Sequence, residues 1–300
     1  MERTLLLPTL LLSLIALISS CSSADNQVLS SYPAVYTKSL SGAFPLMVDN
    51  QCADICLSDG DYAVVSITAT MLADDVERVT GNKPAIKKVS TLDELTSASV
   101  VAGTVGHSAI IDQLVSNQLI SVDAIQGKWE ASVVTTVKHP TTGQPLFVIA
   151  GSDRRGTAFG LTSLSRAIGV SPWYWWADVA PSHKDALYIQ PGLYTQQEPS
   201  VQYRGIFIND ERFGGWAQWV ERHFDKETGK VGPKVYEKIF ELLLRLKGNY
   251  LWPAMHPGTQ ALANHSLHSS SPSIRSGSAT TVSAPSSSHV APIAVASSSG

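Results

Sequence analysis

Hydrophobic and polar positions change their period twice after residue 200, and the change predicts a strand, a helix and a second strand. Residues 203–208 are mostly aromatic or β-branched, as in a short buried strand, and the polar triplet 209–211 follows directly. Residues 235–246 carry apolar side chains at helical spacing between a Gly-Pro start and a Gly stop. Residues 250–252 form a second apolar run, which ends at a proline.

This order of elements predicts a βαβ unit with two parallel strands. Polar residues at the ends of such strands match the face on which (β/α) barrels build their active sites. We therefore expect residues 196–260 to begin a (β/α)8 barrel, with one complete βα unit and the start of the next strand.

The preceding residues, 22–195, alternate strand-like and helix-like patterns, which predicts an α/β sandwich-like domain of common size. A Pro-Thr-Thr-Gly turn between the last two strand-like runs predicts a hairpin. The predicted strands are residues 62–67, 100–105, 133–137 and 146–150, and the predicted helices are residues 71–79, 109–119 and 157–168.

An apolar N-terminal run predicts export. Arg3 precedes residues 5–18, an apolar stretch too short to span a bilayer, and small residues follow it. We interpret residues 1–21 as a cleaved secretory signal, which makes the mature protein extracellular. The alternative is a bacterial lipoprotein signal that leaves a lipid anchor on Cys21.

Charge and cysteine spacing narrow the possible partners. A net charge of −3 gives no attraction to nucleic acid or to an anionic membrane surface. Cys52 and Cys56 are close enough in sequence for a small disulfide loop in an oxidising compartment. Their spacing is a poor zinc signature, and we expect no metal or cofactor. The oligomeric state is open.

The loop 151–156, Gly-Ser-Asp-Arg-Arg-Gly, lies between a predicted strand and a predicted helix. Backbone amides at such a helix start favour binding of an anion, and Arg154 or Arg155 could bind a carboxylate through two hydrogen bonds. The alternative is a tight turn in which Asp153 caps the helix and pairs with an arginine. No Lys-Ser/Thr follows the second glycine, so the loop is not a phosphate loop.

The segment 171–178, Ser-Pro-Trp-Tyr-Trp-Trp-Ala-Asp, contains four consecutive aromatic residues. Aromatic faces stack on the C–H surfaces of sugars and bury large areas, so this run suggests carbohydrate binding. An aromatic plug between two packed domains explains Trp175 and Trp176 equally well.

Four blocks of the sequence, at residues 150–157, 169–179, 204–211 and 242–255, resemble the signatures of glycoside hydrolase family 115, the xylan α-1,2-glucuronidases. The resemblance implies an N-terminal α/β domain, a (β/α)8 catalytic barrel and further helical and β domains. It also implies metal-independent, inverting removal of (4-O-methyl)glucuronic acid from xylan. The blocks are AGSDRRGT (150–157), GVSPWYWWADV (169–179), RGIFINDE (204–211) and LLLRLKGNYLWPAM (242–255).

The same resemblance implies which residues contact the sugar. Asp210 would accept hydrogen bonds from hydroxyl groups or position water, Trp252 would form a pocket wall, and Asn209 and Glu211 are further substrate-binding candidates. The structural alternatives are an ion pair of Asp210 with Arg204 or Arg212 and core packing of Trp252.

The catalytic acid and base are not identified by these motifs. An inverting glycosidase needs two carboxyl groups about 6.5–9.5 Å apart. Asp210 and Glu211 are adjacent, so on a strand their side chains point to opposite sides. Asp210 and Glu211 are therefore unsuited to be that pair. The family resemblance places the general acid on later barrel strands, which implies that the acid and base are absent from this chain.

The C-terminal segment departs from the family pattern. Residues 261–300 contain no Asp or Glu and are dominated by Ser, Ala, Pro, Thr and Val, which predicts a disordered tail. Our hypothesis is that a frameshift or a retained intron truncates the barrel and leaves the chain inactive. The alternative is a non-catalytic secreted carbohydrate-binding or interaction module with an O-glycosylated tail.

Overall fold

The computed structural model describes residues 32–209, 215–224, 226 and 231–254. The expected secretory signal, with Cys21, and the expected disordered tail lie outside the described residues. Within them, the chain forms a mixed α/β structure of the predicted class. Among the helices described, not one combines the length and the apolar character that crossing a bilayer requires.

The described residues form strands in three sheets, five helices and short 3-10 turns. The strands are β1 Val35–Tyr36, β2 Phe44–Val48, β3 Gln51–Cys52, β4 Asp54–Leu57, β5 Ile86–Lys88, β6 Ser99–Thr104, β7 Ser132–Lys138, β8 Pro145–Gly151, β9 Leu187–Ile189, β10 Leu193–Gln196, β11 Gly205–Phe207 and β12 Tyr250–Trp252. The helices are α1 Ala63–Thr80, α2 Ala109–Ser116, α3 Arg154–Ala167, α4 Trp216–Trp219, continued by a π-helical turn at Val220–Phe224, and α5 Pro233–Arg245.

A six-stranded sheet in the order β10-β7-β8-β6-β4-β5 forms the centre of the first domain. Strands β5, β4, β6 and β8 are parallel, whereas β7 and β10 are antiparallel to their neighbours. The predicted β7–β8 hairpin is confirmed. Phe147 and Ile149 of β8 face the core beneath α1 and α3, and Val148 and Ala150 face the core beneath α2. Helices on both faces explain why β6 and β8 are apolar without alternation.

A smaller antiparallel sheet, β1-β9-β2-β3, contributes to the same core as α1 and α3. Phe44 of β2 packs against Phe147 of the central sheet, with 5.7 Å between ring centroids. The sequence patterns did not predict this sheet, because its strands are two to five residues long.

The strand predicted at residues 62–67 is wrong, because helix α1 begins at Ala63. Val65, Ala69, Leu72 and Val76 are completely buried at helical spacing, so core packing overrides the strand preference of the β-branched residues. The predicted end of this helix is confirmed by Gly81, which adopts φ 78° and donates its N–H to the Glu77 carbonyl.

The predicted disulfide is also wrong, since Cys52 and Cys56 are free thiols. They lie on β3 and β4, which belong to different sheets. An extended chain advances about 3.3 Å per residue, or about 13 Å over four residues, which is beyond disulfide reach. Cys56 is instead buried in the core, where desolvation raises the pKa of its thiol.

The predicted strand-helix-strand unit after residue 200 is confirmed. Strands β11 and β12 pair in parallel, with Gly205 opposite Tyr250 and Phe207 opposite Trp252. Helix α5 starts with a proline in its first turn and buries one apolar stripe, as the spacing predicted. Its stripe packs with β11 and β12 around a core of Val220, Val231, Val235, Tyr236, Ile239, Leu243 and Leu251.

Replacing Gly205 with alanine tests how tightly β11 and β12 approach each other. A Cβ atom at Gly205 would meet the Tyr250 carbonyl oxygen well inside van der Waals contact. We expect Gly205→Ala to lower the free energy of unfolding by about 1–3 kcal/mol, measured by urea denaturation with tryptophan fluorescence. In Gly60→Ala the new Cβ has no contact closer than 3.7 Å, so this variant is the control. Equal midpoints for the two variants would contradict the prediction.

Candidate functional site

The described substrate-binding candidates of the βαβ unit lie at the carboxyl ends of its two strands. Trp252 ends β12, and Asn209 follows β11 by two residues. The Ile208 N–H donates to the Trp252 carbonyl at 2.9 Å, which extends the pairing beyond β11. The parallel register therefore brings Asn209 and Trp252 to one edge of this small sheet. Asp210 and Glu211 lie outside the described residues.

Trp252 faces away from the core beneath α5. Leu251 is completely buried in that core, whereas 37% of Trp252 is exposed. Its indole meets the ring of Phe207 edge-on, with 5.8 Å between centroids, and Phe207 is itself 55% exposed. Successive strand residues alternate between faces, so these two rings share the face opposite α5. Core packing therefore does not explain Trp252.

A buried carboxylate joins the first domain to the start of this unit. Glu130, just before β7, is completely buried, and its Oε1 lies 2.6 Å from the Arg155 Nε. Its Oε2 pairs with the Arg204 guanidinium, and Oε1 also accepts a hydrogen bond from Asn249 Nδ2 at 2.9 Å. Arg204 precedes β11 and Asn249 precedes β12. The carboxylate thus contacts the beginnings of both strands whose ends carry Asn209 and Trp252.

Arg204 and Asn249 also bond to each other. The Arg204 N–H donates to Asn249 Oδ1 at 2.9 Å, and the Asn249 N–H donates to the Arg204 carbonyl at 2.7 Å. Arg204 Nε further donates to the Lys247 carbonyl at 2.9 Å. These bonds set the register of β11 on β12 at the end opposite the candidate site. Of the two arginines that the sequence offered as partners for Asp210, Arg204 is paired with Glu130, and Arg212 lies outside the described residues.

The loop 151–156 separates its two arginines. The Asp153 carboxylate accepts the N–H of Gly156 at 2.7 Å and that of Glu130 at 3.0 Å, so Asp153 caps α3 as one sequence interpretation proposed. Arg155 is buried against Glu130, which corrects its assignment to substrate binding: its guanidinium neutralises an internal carboxylate. Arg154 is half-buried, with its Cζ 5.6 Å from the ring centroid of Tyr62.

The aromatic block packs against α4 and α5. The Trp176 indole N–H donates to the Lys238 carbonyl at 3.4 Å, and the Tyr174 hydroxyl donates to Glu241 at 2.8 Å. The Trp175 ring meets Phe224 edge-on at 5.0 Å. Of the two interpretations of Trp175 and Trp176, these contacts favour packing between the two parts of the chain.

A second buried ion pair was missed by the sequence reasoning. Asp75 of α1 is completely buried and binds Arg245 of α5 through both oxygens, at 2.6 and 3.0 Å. Arg245 also contacts Glu241, which ties this pair to the Tyr174 hydrogen bond. The sequence signal for a buried charge was the position of Asp75 on the same helical face as the apolar residues Leu72 and Val79. Only the structure supplies its partner, 170 residues away.

In the part of the chain that the structure describes, no group of three or more His, Cys, Asp or Glu side chains could hold a metal ion. The carboxylates of Glu130 and Asp75 are each paired with arginine side chains. What the strand ends offer chemically is an exposed indole beside a carboxamide, which can stack on a sugar ring and hydrogen-bond its hydroxyl groups.

Comparisons with known proteins agree with the sequence resemblance. Residues 196–299 match the model of Glycosyl hydrolase family 115. A solved family GH115 4-O-methyl-alpha-glucuronidase, with specificity for decorated arabinogalactans, is 36% identical with a TM-score of 0.61 over 72% of this chain. This chain covers 26% of that protein, about a quarter of its length. No curated protein matches the sequence.

More distant structures also align with the chain. An exo beta-N-acetylglucosaminidase of family GH20 from Vibrio harveyi is 10% identical with a TM-score of 0.38, covering 73% of this chain and 24% of its own. An N-acetyl-beta-hexosaminidase from Streptomyces plicatus is 14% identical with a TM-score of 0.36, covering 70% of this chain and 31% of its own. These likenesses are too weak to bear on the site.

Replacing Glu130 tests the buried cluster. Glu130→Gln removes the charge and leaves Arg155 and Arg204 without their carboxylate, so we expect the free energy of unfolding to fall by about 3–5 kcal/mol. Asp74→Asn is the control, because it removes the same charge from an exposed pair with Lys83 and should cost less than about 1 kcal/mol. Urea denaturation measures both. Equal losses of unfolding free energy in Glu130→Gln and Asp74→Asn would contradict the view that the Glu130 cluster holds the first domain and the βαβ unit together.

Lys247 gives a pH-dependent prediction. Burial, together with Arg166 and Arg204, lowers the pKa of its ammonium group to about 8. An unfolded lysine titrates near about 10.4, so between these values the unfolded state binds more protons and stability rises with pH. We expect the stability of the native chain relative to Lys247→Met to increase between about pH 8 and 10. A constant difference in urea midpoints across this range would contradict the lowered pKa.

Proposed function

Starting from the assignment of this chain to glycoside hydrolase family 115, we propose that its βαβ unit contributes sugar-binding residues to an α-glucuronidase site. The substrate class is a polysaccharide that bears (4-O-methyl)glucuronic acid, with xylan as the principal candidate. The observation that carries the proposal is the position of Asn209 and Trp252 at the carboxyl ends of adjacent parallel strands. This is the edge at which (β/α) barrels bind substrate, and we propose that β11 and β12 are the first two strands of such a barrel.

Each candidate residue has a distinct proposed role. Trp252 forms a wall against one face of the sugar ring, since its indole is exposed on the side opposite α5. Asn209 hydrogen-bonds hydroxyl groups, and the adjacent Asp210 and Glu211 accept hydrogen bonds from the sugar or from water. Arg155 has no part in this site because it is paired with Glu130.

We further propose that the 300-residue chain binds its substrate without hydrolysing it. Inversion needs a protonated carboxyl group on one side of the bond and a carboxylate that activates water on the other. Asn209 and Trp252 supply neither group. Asp210 and Glu211 are adjacent in sequence and cannot flank a sugar if the strand continues through them. The acid and the base are therefore not assigned to residues of this chain.

We also propose that the protein acts outside the cell. The apolar N-terminal run supports export of the chain. A lipid anchor on Cys21 would keep the same site at the cell surface.

Binding and hydrolysis can be tested separately with the 300-residue chain. We expect calorimetry to show binding of a xylo-oligosaccharide that carries 4-O-methylglucuronic acid, and chromatography to show no released uronic acid. Trp252→Ala should weaken binding about tenfold, because a stacked aromatic wall contributes about 1.4 kcal/mol.

Trp173→Ala is the matched control. Trp173 is also exposed, at 45%, but belongs to the aromatic block and not to β11 or β12. Equal affinities for the two variants would remove Trp252 from the site. Release of uronic acid by the native chain would show that acid and base are present within these residues.

A further inference from the structure

The chain bends directly after Trp252. Residues two apart on a strand point to the same face, so a straight continuation of β12 would place Ala254 beside Trp252 on the face opposite α5. Ala254 is instead buried in the core beneath α5. Leu251 and Pro253 are buried as well, which leaves Trp252 as the exposed residue of 251–254. A specific contact must therefore hold the chain towards α5 immediately after the candidate sugar-binding residue.

The hydroxyl group of Tyr236 supplies this contact. It accepts the N–H of Ala254 at 3.1 Å, in a hydrogen bond that is buried from solvent. Tyr236 lies near the start of α5 and is 2% exposed. Because α5 connects two parallel strands, it runs back along them, and its start lies at their carboxyl edge. Tyr236 is thus on the helix end that is next to the candidate site.

The surroundings of Tyr236 indicate that its hydroxyl group has a specific role. The ring packs in a core with aliphatic side chains, among them Val235, Ile239 and Leu243. A buried hydroxyl group lowers stability in such a core unless it is hydrogen-bonded, and phenylalanine would fill nearly the same space. The buried N–H of Ala254 equally requires an acceptor. The hydrogen bond between them satisfies both groups.

The main chain around Trp252 is therefore fixed on both sides. Its carbonyl oxygen accepts the N–H of Ile208 at 2.9 Å, and the preceding Leu251 is completely buried. On the other side, Ala254 is bonded to Tyr236. The rotamers open to a side chain depend on its backbone dihedral angles. A contact that fixes the backbone after Trp252 consequently restricts the orientation of the indole.

We propose that Tyr236 is a positioning residue for Trp252. Its hydrogen bond to Ala254 fixes the bend after β12, and the bend orients the indole as a wall for a sugar ring. Tyr236 is buried beneath the opposite face of the sheet and acts only through Trp252. The positioning rests on the contacts described above, whereas the sugar rests on the proposed function.

The positioning effect can be tested without a ligand, by nuclear magnetic resonance on the isotope-labelled 300-residue chain. Trp252→Ala assigns the indole N–H signal of Trp252. Tyr236→Phe removes only the hydroxyl group, so we expect it to shift this signal and to speed hydrogen exchange of the Ala254 amide at least about tenfold. Tyr174→Phe is the matched control, because it removes a hydrogen bond to Glu241 on the same helix. The control should change neither readout.

The effect on sugar binding is measured by calorimetry with a xylo-oligosaccharide that carries 4-O-methylglucuronic acid. Tyr236→Phe should weaken binding about threefold to tenfold, because a displaced indole stacks less well on the sugar. Tyr174→Phe should bind like the native chain. If Tyr236 acts through Trp252, a chain with both Tyr236→Phe and Trp252→Ala should bind as weakly as Trp252→Ala alone.

The outcomes distinguish this proposal from the proposed function. An unchanged indole signal with unchanged Ala254 exchange in Tyr236→Phe would overturn the positioning role. Additive losses of affinity in the double variant would overturn it as well, because they would show that Tyr236 acts independently of Trp252. If the native chain does not bind the oligosaccharide, the proposed function fails, while a shifted indole signal in Tyr236→Phe still supports the positioning of Trp252.

Discussion

The buried carboxylate of Glu130 is the constraint on which the rest of the described structure depends. An ionised carboxylate without solvent is tolerated only when cations and hydrogen-bond donors surround it. Glu130 meets this requirement with Arg155 from the first domain and with Arg204 and Asn249 from the βαβ unit. The first domain and the βαβ unit therefore each supply part of the surroundings that stabilise this carboxylate. The contact also explains why residue 155 is not exposed beside Arg154.

The two ion clusters both act at the end of the βαβ unit where α5 finishes and the strands begin. Glu130 contacts residues that precede β11 and β12, while Asp75 binds Arg245 in the last turn of α5. The strands are thus anchored at their beginnings, and the helix that covers them is anchored to α1. Their carboxyl ends, with Trp252, remain exposed on the side opposite α5. The first domain consequently orients the edge that we propose to bind sugar.

Local patterns predicted the elements whose side chains repeat with a clear period. The apolar stripe of α5, its proline start and the following strand were readable because each signal lies within about 20 residues of chain. The start of α1 was not readable, since β-branched residues at 64, 65 and 67 prefer strands in isolation and only packing under the sheet makes them helical. Four short strands of the smaller sheet lacked enough residues to show any period.

The sequence by itself determined the α/β class, the βαβ unit and the family resemblance, because these depend on neighbouring residues and on contiguous motifs. The tertiary structure alone decided which of two adjacent arginines is buried, which residues neutralise Asp75, and that the Tyr236 hydroxyl meets the N–H of Ala254. Glu130 finds its partners 74 and 119 residues away, at Arg204 and Asn249. Such pairs leave no local pattern, since the strength of a charge interaction depends on burial, and burial exists only once the chain has folded.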